Sequence, residues 1–334
     1  MTRSSNGPSL RGRRVLVTGG AGFIGSHLVD RIIREEPASL VVVDNLFLGT
    51  DENLASAREA FPRLKLYVQD ATDYDEIGAI LAAERIEVVY NLAIVPLPAS
   101  LVNPRWTVDH NVALTTVQCE LQRQGYFETL IHFSSSEAYG SAHYVPMDES
   151  HPPMPSTPYA ASKVACDQVV QSYRHTYGAD VTILRPFNNF GPRQNAGAYA
   201  GIIPVVVGRA MRGMPIVIYG DGEQTRDFIF VRDTADAAVA MYGEPATRGE
   251  IINIASGSET SINDLVRELL TVLECDVPID YEASRPGDVR RHRAAIDRAR
   301  NILGFEPRTP LTKGLAETVE WYRGRLETLP TEPA

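Results

Sequence analysis

The chain has 334 residues, 44% of them hydrophobic, enough to bury a full core in one large domain or two lobes, which excludes disorder of the whole chain. A net charge of −10 excludes the basic footprint that nucleic-acid binding needs, so any phosphate bound here must be met by local donors. Cys119, Cys166 and Cys275 lack metal or redox spacing and suit a reducing cytoplasm, and no apolar run approaches the roughly 20 residues of a membrane span.

The polar, basic start lacks the apolar segment of a signal peptide, and residues 1–12 read as a flexible tail. An apolar run at 15–17 then leads into Thr18-Gly19-Gly20-Ala21-Gly22-Phe23-Ile24-Gly25, and a helical pattern follows over 26–34. Strand, glycine turn and helix in that order read as a dinucleotide pyrophosphate cradle, with Phe23 and Ile24 inside it. Gly19 permits the tight turn, Gly22 brings backbone to the pyrophosphate, Gly25 lets helix pack on strand, and the helix N-terminus faces the negative charge.

The next run, 40–43, ends at Asp44, nineteen residues after Gly25. A carboxylate there can accept both hydroxyls of an adenosine ribose and repels a 2'-phosphate, so NAD is expected rather than NADP, with Asn45 alongside. The competing reading of Asp44 is a loop cap. Runs at 65–68 and 88–92 end near Asp70-Ala71 and at Leu92-Ala93, where the adenine and nicotinamide sides of a dinucleotide would pass; Asp70 reads equally as the N-cap of a helix starting near Asp73.

Further runs at 129–133 and 181–184 complete a series of short apolar strands alternating with helices, the pattern of a parallel sheet covered on both faces. The expected fold is α/β, a Rossmann-type doubly wound parallel sheet over 13–190, rejoined by a strand and helix at 227–243. A smaller, discontinuous C-terminal substrate lobe is expected from 191–226 and 244–330, where Pro, Gly and Arg interrupt the alternation.

Tyr159 and Lys163 stand four residues apart within a helical pattern over 159–177 and share a face. The ammonium is expected to lower the phenol pKa and make Tyr159 a base near neutral pH. At the end of the 129–133 strand, Phe133-Ser134-Ser135-Ser136-Glu137-Ala138-Tyr139-Gly140 offers a hydroxyl to complete a triad with that pair.

With these motifs the chain resembles the extended short-chain dehydrogenase/reductase family, and within it the NAD-dependent nucleotide-sugar epimerases, dehydratases and decarboxylases, from Arg14 to about Tyr322. The resemblance implies that Ser135, four residues before the Tyr-Gly pair, is the catalytic hydroxyl, that Tyr159 and Lys163 are the YxxxK pair, and that Asn111 supports the lysine at the cofactor site. In Arg185-Pro186-Phe187-Asn188 it implies cofactor contact by Pro186 and sugar-nucleotide contact by Asn188. It also implies a grip on the substrate diphosphate by Arg226 and Arg285, and a planar guanidinium suits two phosphate oxygens.

Members of this group begin by oxidising the sugar at C4. Glu137 preceded by Ser136, rather than by an Asp, turns the expectation to a UDP-glucuronate decarboxylase giving UDP-4-keto-pentose or UDP-xylose. A 4,6-dehydratase and then a UDP-sugar 4-epimerase are the alternatives, and segments 94–100 and 285–293 look more like these. An NAD-sensing binding protein without catalysis is disfavoured by the intact Ser135, Tyr159 and Lys163. Helices over 107–124 and 159–177 carry apolar residues on more than one face, which suggests a cytoplasmic homodimer built through a four-helix bundle, as in relatives.

Overall fold

The computed structural model describes residues 7–197, 199–284 and 289–329. Its first half alternates strand and helix: β1 (Arg14–Thr18), α1 (Phe23–Ile33), β2 (Ser39–Asp44), α2 (Ala55–Ala60), β3 (Lys65–Val68), α3 (Tyr74–Glu84), β4 (Val88–Asn91), α4 (Leu97–Val102), α5 (Pro104–Arg123), β5 (Thr129–Phe133), α6 (Pro158–Tyr177) and β6 (Asp180–Pro186). The second half is more broken: β7 (Asn188–Phe190), α7 (Ile202–Ala210), β8 (Ile216–Tyr219), β9 (Thr225–Arg226), β10 (Phe228–Phe230), α8 (Val231–Gly243), β11 (Ile251–Ile254), β12 (Thr260–Ser261), α9 (Ile262–Leu273), β13 (Ile279–Glu282), α10 (Asp297–Leu303) and α11 (Leu311–Arg323).

Seven parallel strands form the main sheet in the order β11-β6-β5-β4-β1-β2-β3. Side chains alternate across a strand, so Val15 and Val17 enter the core on one face while Leu16 enters the core on the other. Helices cover both faces, which is why β1 and β2 can be continuously apolar. β1 lies between β2 and β4, the point where strand order reverses and where a doubly wound sheet opens a crevice at its carboxyl ends.

Three expectations are corrected. The strand at 227–231 does not rejoin the main sheet: β10 is three residues long and pairs with β7 in a separate two-stranded sheet, although α8 does pack against α1. The seventh main strand is β11, inside the stretch assigned to the substrate lobe, and it lies parallel beside β6 after the α8 crossover. Nor are residues 7–12 a loose tail, because Leu10 is 1% exposed in the core and Gly12 donates its N–H to the Glu36 carbonyl.

A third apolar cluster, with Phe190, Val207, Phe230, Leu265, Leu269 and Leu315, sits apart from the two sheet cores and underlies α7, α9 and α11. Among the described residues no helix is long and apolar enough to cross a membrane, and no group of His, Cys, Asp and Glu is placed to hold a metal ion.

Candidate active site

The carboxyl ends of the central strands open into one cleft of about 420 Å³. At its floor the Thr18 hydroxyl donates to Asn91 Oδ1 at 2.8 Å and accepts the N–H groups of Leu92 and Ala93, fixing the β4 end. The glycine turn lies against this edge. Gly19 has φ +68°, and a Cβ there would come 2.8 Å from the Ala93 nitrogen; a Cβ on Gly25 would come 2.1 Å from the Gly19 carbonyl oxygen. Gly22 caps α1 without a side chain, and Phe23, Ile24 and Gly25 of the first turn line the cleft. Backbone donors, bare Cα atoms and the positive end of a helix dipole together fit a pyrophosphate.

Asp44 closes that end of the cleft, its carboxylate accepting the Ala21 N–H at 3.0 Å and the Leu46 N–H at 2.9 Å. Burial pushes its pKa up, with these backbone donors pulling it back. Asp70 and Ala71 line the cleft too, with Asn45. Asp70 does not cap α3; Asp73 does, accepting the Glu76 N–H. Asp70 instead binds the Thr72 N–H and hydroxyl, with His110 Nε2 at 3.6 Å. Burial works against its charge, but the Thr72 donors, His110 and Asn45 together hold its pKa low.

At the other end, α6 begins at Thr157, whose hydroxyl accepts the Ala160 N–H at 3.1 Å, with Pro158 in the first helical position. That start places Tyr159 in the first turn and Lys163 one turn on, both lining the cleft with Ser135, Ser136 and Glu137. Ser135 opens a short 3-10 turn, accepting the Glu137 N–H at 3.2 Å, and its hydroxyl also meets the Tyr159 phenol.

The expected activation of the phenol by the lysine is not what the structure shows. Lys163 Nζ donates to the Phe133 carbonyl at 2.6 Å, and its own pKa is lowered by burial. Burial pushes the Tyr159 phenol up to about 12, the Ser135 bond pulls the other way, and the Glu137 carboxylate adds to the rise.

Other candidates separate. Pro186 and Asn188 line the cleft, and the Asn188 Nδ2 is buried without a partner, a donor suited to a ligand oxygen. Asn111 is not at the cleft wall: it is 1% exposed, clamps the Val95 backbone at 2.8 and 3.2 Å, and donates to Ser162, the residue before Lys163. Arg226 also stands off the cleft, its guanidinium donating to the Thr225 and Val289 carbonyls. Arg285 lies outside the described residues.

No motif in the chain singles out His292, which is fully buried and bonds the Ser136 carbonyl through Nε2 at 3.2 Å, its ring 5.0 Å from that of Phe187. Burial, with Arg226 adding, pushes its pKa down to about 4, so the ring is neutral at physiological pH. Phe47, Trp106 and His110 also line the cleft, the Trp106 ring 5.6 Å from Phe47 and 5.4 Å from His110; Trp106 and His110 stand one turn apart on α5, and only the packing of the loop after β2 brings Phe47 to them.

Residues 15–255 match the model of the NAD dependent epimerase/dehydratase family. The UDP-glucose 4-epimerase of Mycolicibacterium smegmatis is 36% identical over 314 residues, covering 93% of this chain and 99% of that protein. The solved UDP-glucose 4-epimerase of Thermotoga maritima, with UDP-glucose, superposes with a TM-score of 0.88 at 33% identity over 93% of this chain and 99% of that one. The dTDP-glucose 4,6-dehydratase of Streptomyces venezuelae, solved with NAD bound, gives a TM-score of 0.88 at 31% identity over 95% and 98%.

Proposed function

The chain belongs to the NAD dependent epimerase/dehydratase family, and from that membership we propose that it is a nucleotide-sugar 4,6-dehydratase, which oxidises the sugar at C4 and eliminates water across C5 and C6. The observation that carries this reading is Glu137, a carboxylate in the same cleft as Ser135, Tyr159 and Lys163 whose charge acts on the Tyr159 phenol.

NAD, the cofactor of the family, supplies the hydride acceptor at C4 when bound. The Gly19–Gly25 turn would hold its pyrophosphate and Asp44 its adenosine ribose. Tyr159 takes the proton of the C4 hydroxyl, and Ser135 hydrogen-bonds the same oxygen. Lys163 is held at the end of β5 by its bond to the Phe133 carbonyl. A ketone at C4 makes the C5 hydrogen acidic, and Glu137 removes it. Ser136 offers a hydroxyl where a second acid would stand, so Glu137 returns its proton to the departing C6 hydroxyl, which leaves as water; the hydride held by NAD would come back to C6, and C5 would take up one proton in exchange for the one Tyr159 took from the C4 hydroxyl, so the product is the substrate less one water. Asn188 Nδ2, buried and unpartnered, meets an oxygen of the sugar nucleotide.

Two other outcomes are set behind this one. Decarboxylation of UDP-glucuronate would bring the substrate carboxylate beside Glu137, and like charges repel in a poorly solvated cleft. Among the described residues lining the cleft the one arginine is Arg193, and it is paired with Asp30 at 2.8 Å. The 4-epimerase reading is favoured by the Mycolicibacterium and Thermotoga relatives, and under it Glu137 takes no proton. The homodimer expected through α5 and α6 is part of the proposal, with sedimentation as its check.

The deciding experiment incubates the purified chain and NAD with dTDP-glucose, UDP-glucose, UDP-N-acetylglucosamine and UDP-glucuronate, reading product mass. Loss of one water from a hexose nucleotide supports dehydration; an isomer of unchanged mass supports epimerisation; loss of carbon dioxide supports decarboxylation. Under the dehydratase reading, Glu137→Gln slows product formation by about 10²–10⁴-fold while NAD still binds. A variant that turns over at the wild-type rate would sink that role.

A further inference from the structure

Behind the wall of the catalytic cleft lies a second cavity of about 470 Å³, bounded by α1, the segment preceding α2, α8, the end of α11 and the loop carrying Pro192 and Arg193. Both lobes contribute to it. Its lining holds five arginines, Arg31, Arg34, Arg193, Arg232 and Arg325, against three carboxylates, Asp30, Glu52 and Asp236. In a chain of net charge −10 this concentration of guanidinium groups in a concave surface stands out.

The carboxylates are already engaged. Asp236 pairs with Arg31 at 2.6 Å, Asp30 with Arg193 at 2.8 Å and Glu52 with Arg325 at 3.0 Å. Arg232 reaches Glu317, outside the cavity lining, and Arg34, at the exposed rim, has no carboxylate partner among the described residues. The remaining like charges act on one another: Arg232 is held below its ordinary pKa by burial and then by Arg34 and Arg193, and His27 is pushed down to about 4 by burial, with Arg193 and Arg232 adding to it. An anion would relieve that repulsion. One wall is the Trp321 ring, with the Arg325 guanidinium stacked 4.4 Å from its centre, a flat surface for the uncharged part of a ligand.

We propose that this second cavity is a binding site for a small phosphate ester or diphosphate, gripped by Arg34, Arg232 and Arg325 and distinct from the dinucleotide cradle. Guanidinium groups suit phosphate oxygens because each presents two parallel donors, and several converging on one concavity favour adjacent negative charges over a single one.

The chain contains two tryptophans, Trp106 in the catalytic cleft and Trp321 in this cavity, so in a Trp106→Phe background the emission reports on Trp321 alone. The full chain, saturated with NAD so that the first cradle is filled, is titrated with inorganic pyrophosphate, with sodium sulfate at matched ionic strength as the control. The expected result is a saturable change in Trp321 emission with a dissociation constant below about 1 mM, and weakening of about tenfold or more in both Arg34→Glu and Arg325→Glu. Arg34→Glu alters an exposed side chain and keeps the fold, so its result stands even where Arg325→Glu does not express. A response that sulfate reproduces, an affinity unchanged in Arg34→Glu, or no saturable change at all would overturn the proposal.

Discussion

Tyr159 must lose its proton to act as a base, yet in the ligand-free protein burial pushes its phenol up to about 12. At pH 8 that is about four units above ambient, so forming the phenolate costs about 5 kcal/mol, and about one molecule in 10⁴ carries it. The sign follows from the surroundings: a phenol is neutral when protonated, so burial favours the protonated form, the Glu137 carboxylate pushes the same way, and the Ser135 hydrogen bond opposes both. Glu137→Gln should therefore lower this pKa and Ser135→Ala should raise it. The assay is the ultraviolet absorbance of tyrosinate, taken as the difference between wild type and Tyr159→Phe to cancel the other tyrosines. Without ligand, no tyrosinate assignable to Tyr159 is expected up to about pH 9.5. Saturation with NAD, whose oxidised ring is cationic, should bring the step down by more than one unit, because an opposite charge stabilises the phenolate. A ligand-free difference spectrum showing Tyr159 ionised by about pH 8 would mean that burial does not control the phenol and that the lysine activates it.

The glycine turn makes a contrasting pair. Gly25→Ala drives a Cβ against the Gly19 carbonyl and should cost about 1–3 kcal/mol of stability together with NAD binding, whereas at Gly22 a Cβ would meet the Gly19 carbonyl oxygen at 3.1 Å, a milder crowding, so Gly22→Ala should weaken NAD binding with a smaller fall in Tm than Gly25→Ala; calorimetry and NAD titration separate the two. Asp227 is fully buried, accepting bonds from Ser256, Gly257 and Ala294, and burial pushes its pKa from 3.8 to about 6. A carboxyl raised on folding contributes stability that is complete below the unfolded pKa and is lost as pH rises through the folded one, about 3 kcal/mol in all by pH 8. The stability advantage of wild type over Asp227→Asn should thus be about 1 kcal/mol larger at pH 5 than at pH 8 in urea unfolding, and a gap that widens with pH would contradict the assignment. His292→Phe keeps an aromatic ring against Phe187 but loses the bond to the Ser136 carbonyl; kcat should fall about tenfold with KM little changed, and an equal loss in both would point to substrate binding instead.

How far the sequence reached depended on the range of the interaction. Gly19, Gly22, Gly25 and Asp44 are spaced by the local geometry of a strand, a turn and a helix, and all four line the cleft where the glycine-rich turn predicts. Tyr159 and Lys163 share a helix face, and both reach the cleft because Thr157 and Pro158 fix where that helix starts. The partner of Lys163 was not legible: the Phe133 carbonyl is thirty residues away on another element, and only the packing of α6 on β5 presents it. Asn111 and Arg226 carry suggestive neighbours in sequence, but their polar atoms are consumed by the Val95 and Val289 backbones, contacts that no spacing rule contains.

By itself, then, the chain determined an α/β fold with a parallel sheet, a dinucleotide cradle at its first turn and a Ser, Tyr and Lys set beside it, because apolar periodicity, glycine spacing and helix start signals act over a few residues. Tertiary structure alone decided that β11 rather than 227–231 closes the sheet, that His292 backs the Ser135 turn from 156 residues beyond Ser136, and that five arginines from four segments meet in a second cavity. Those outcomes rest on burial and on pairing between segments far apart in the chain, where the free energy of a contact depends on everything else that the fold brings to the same place.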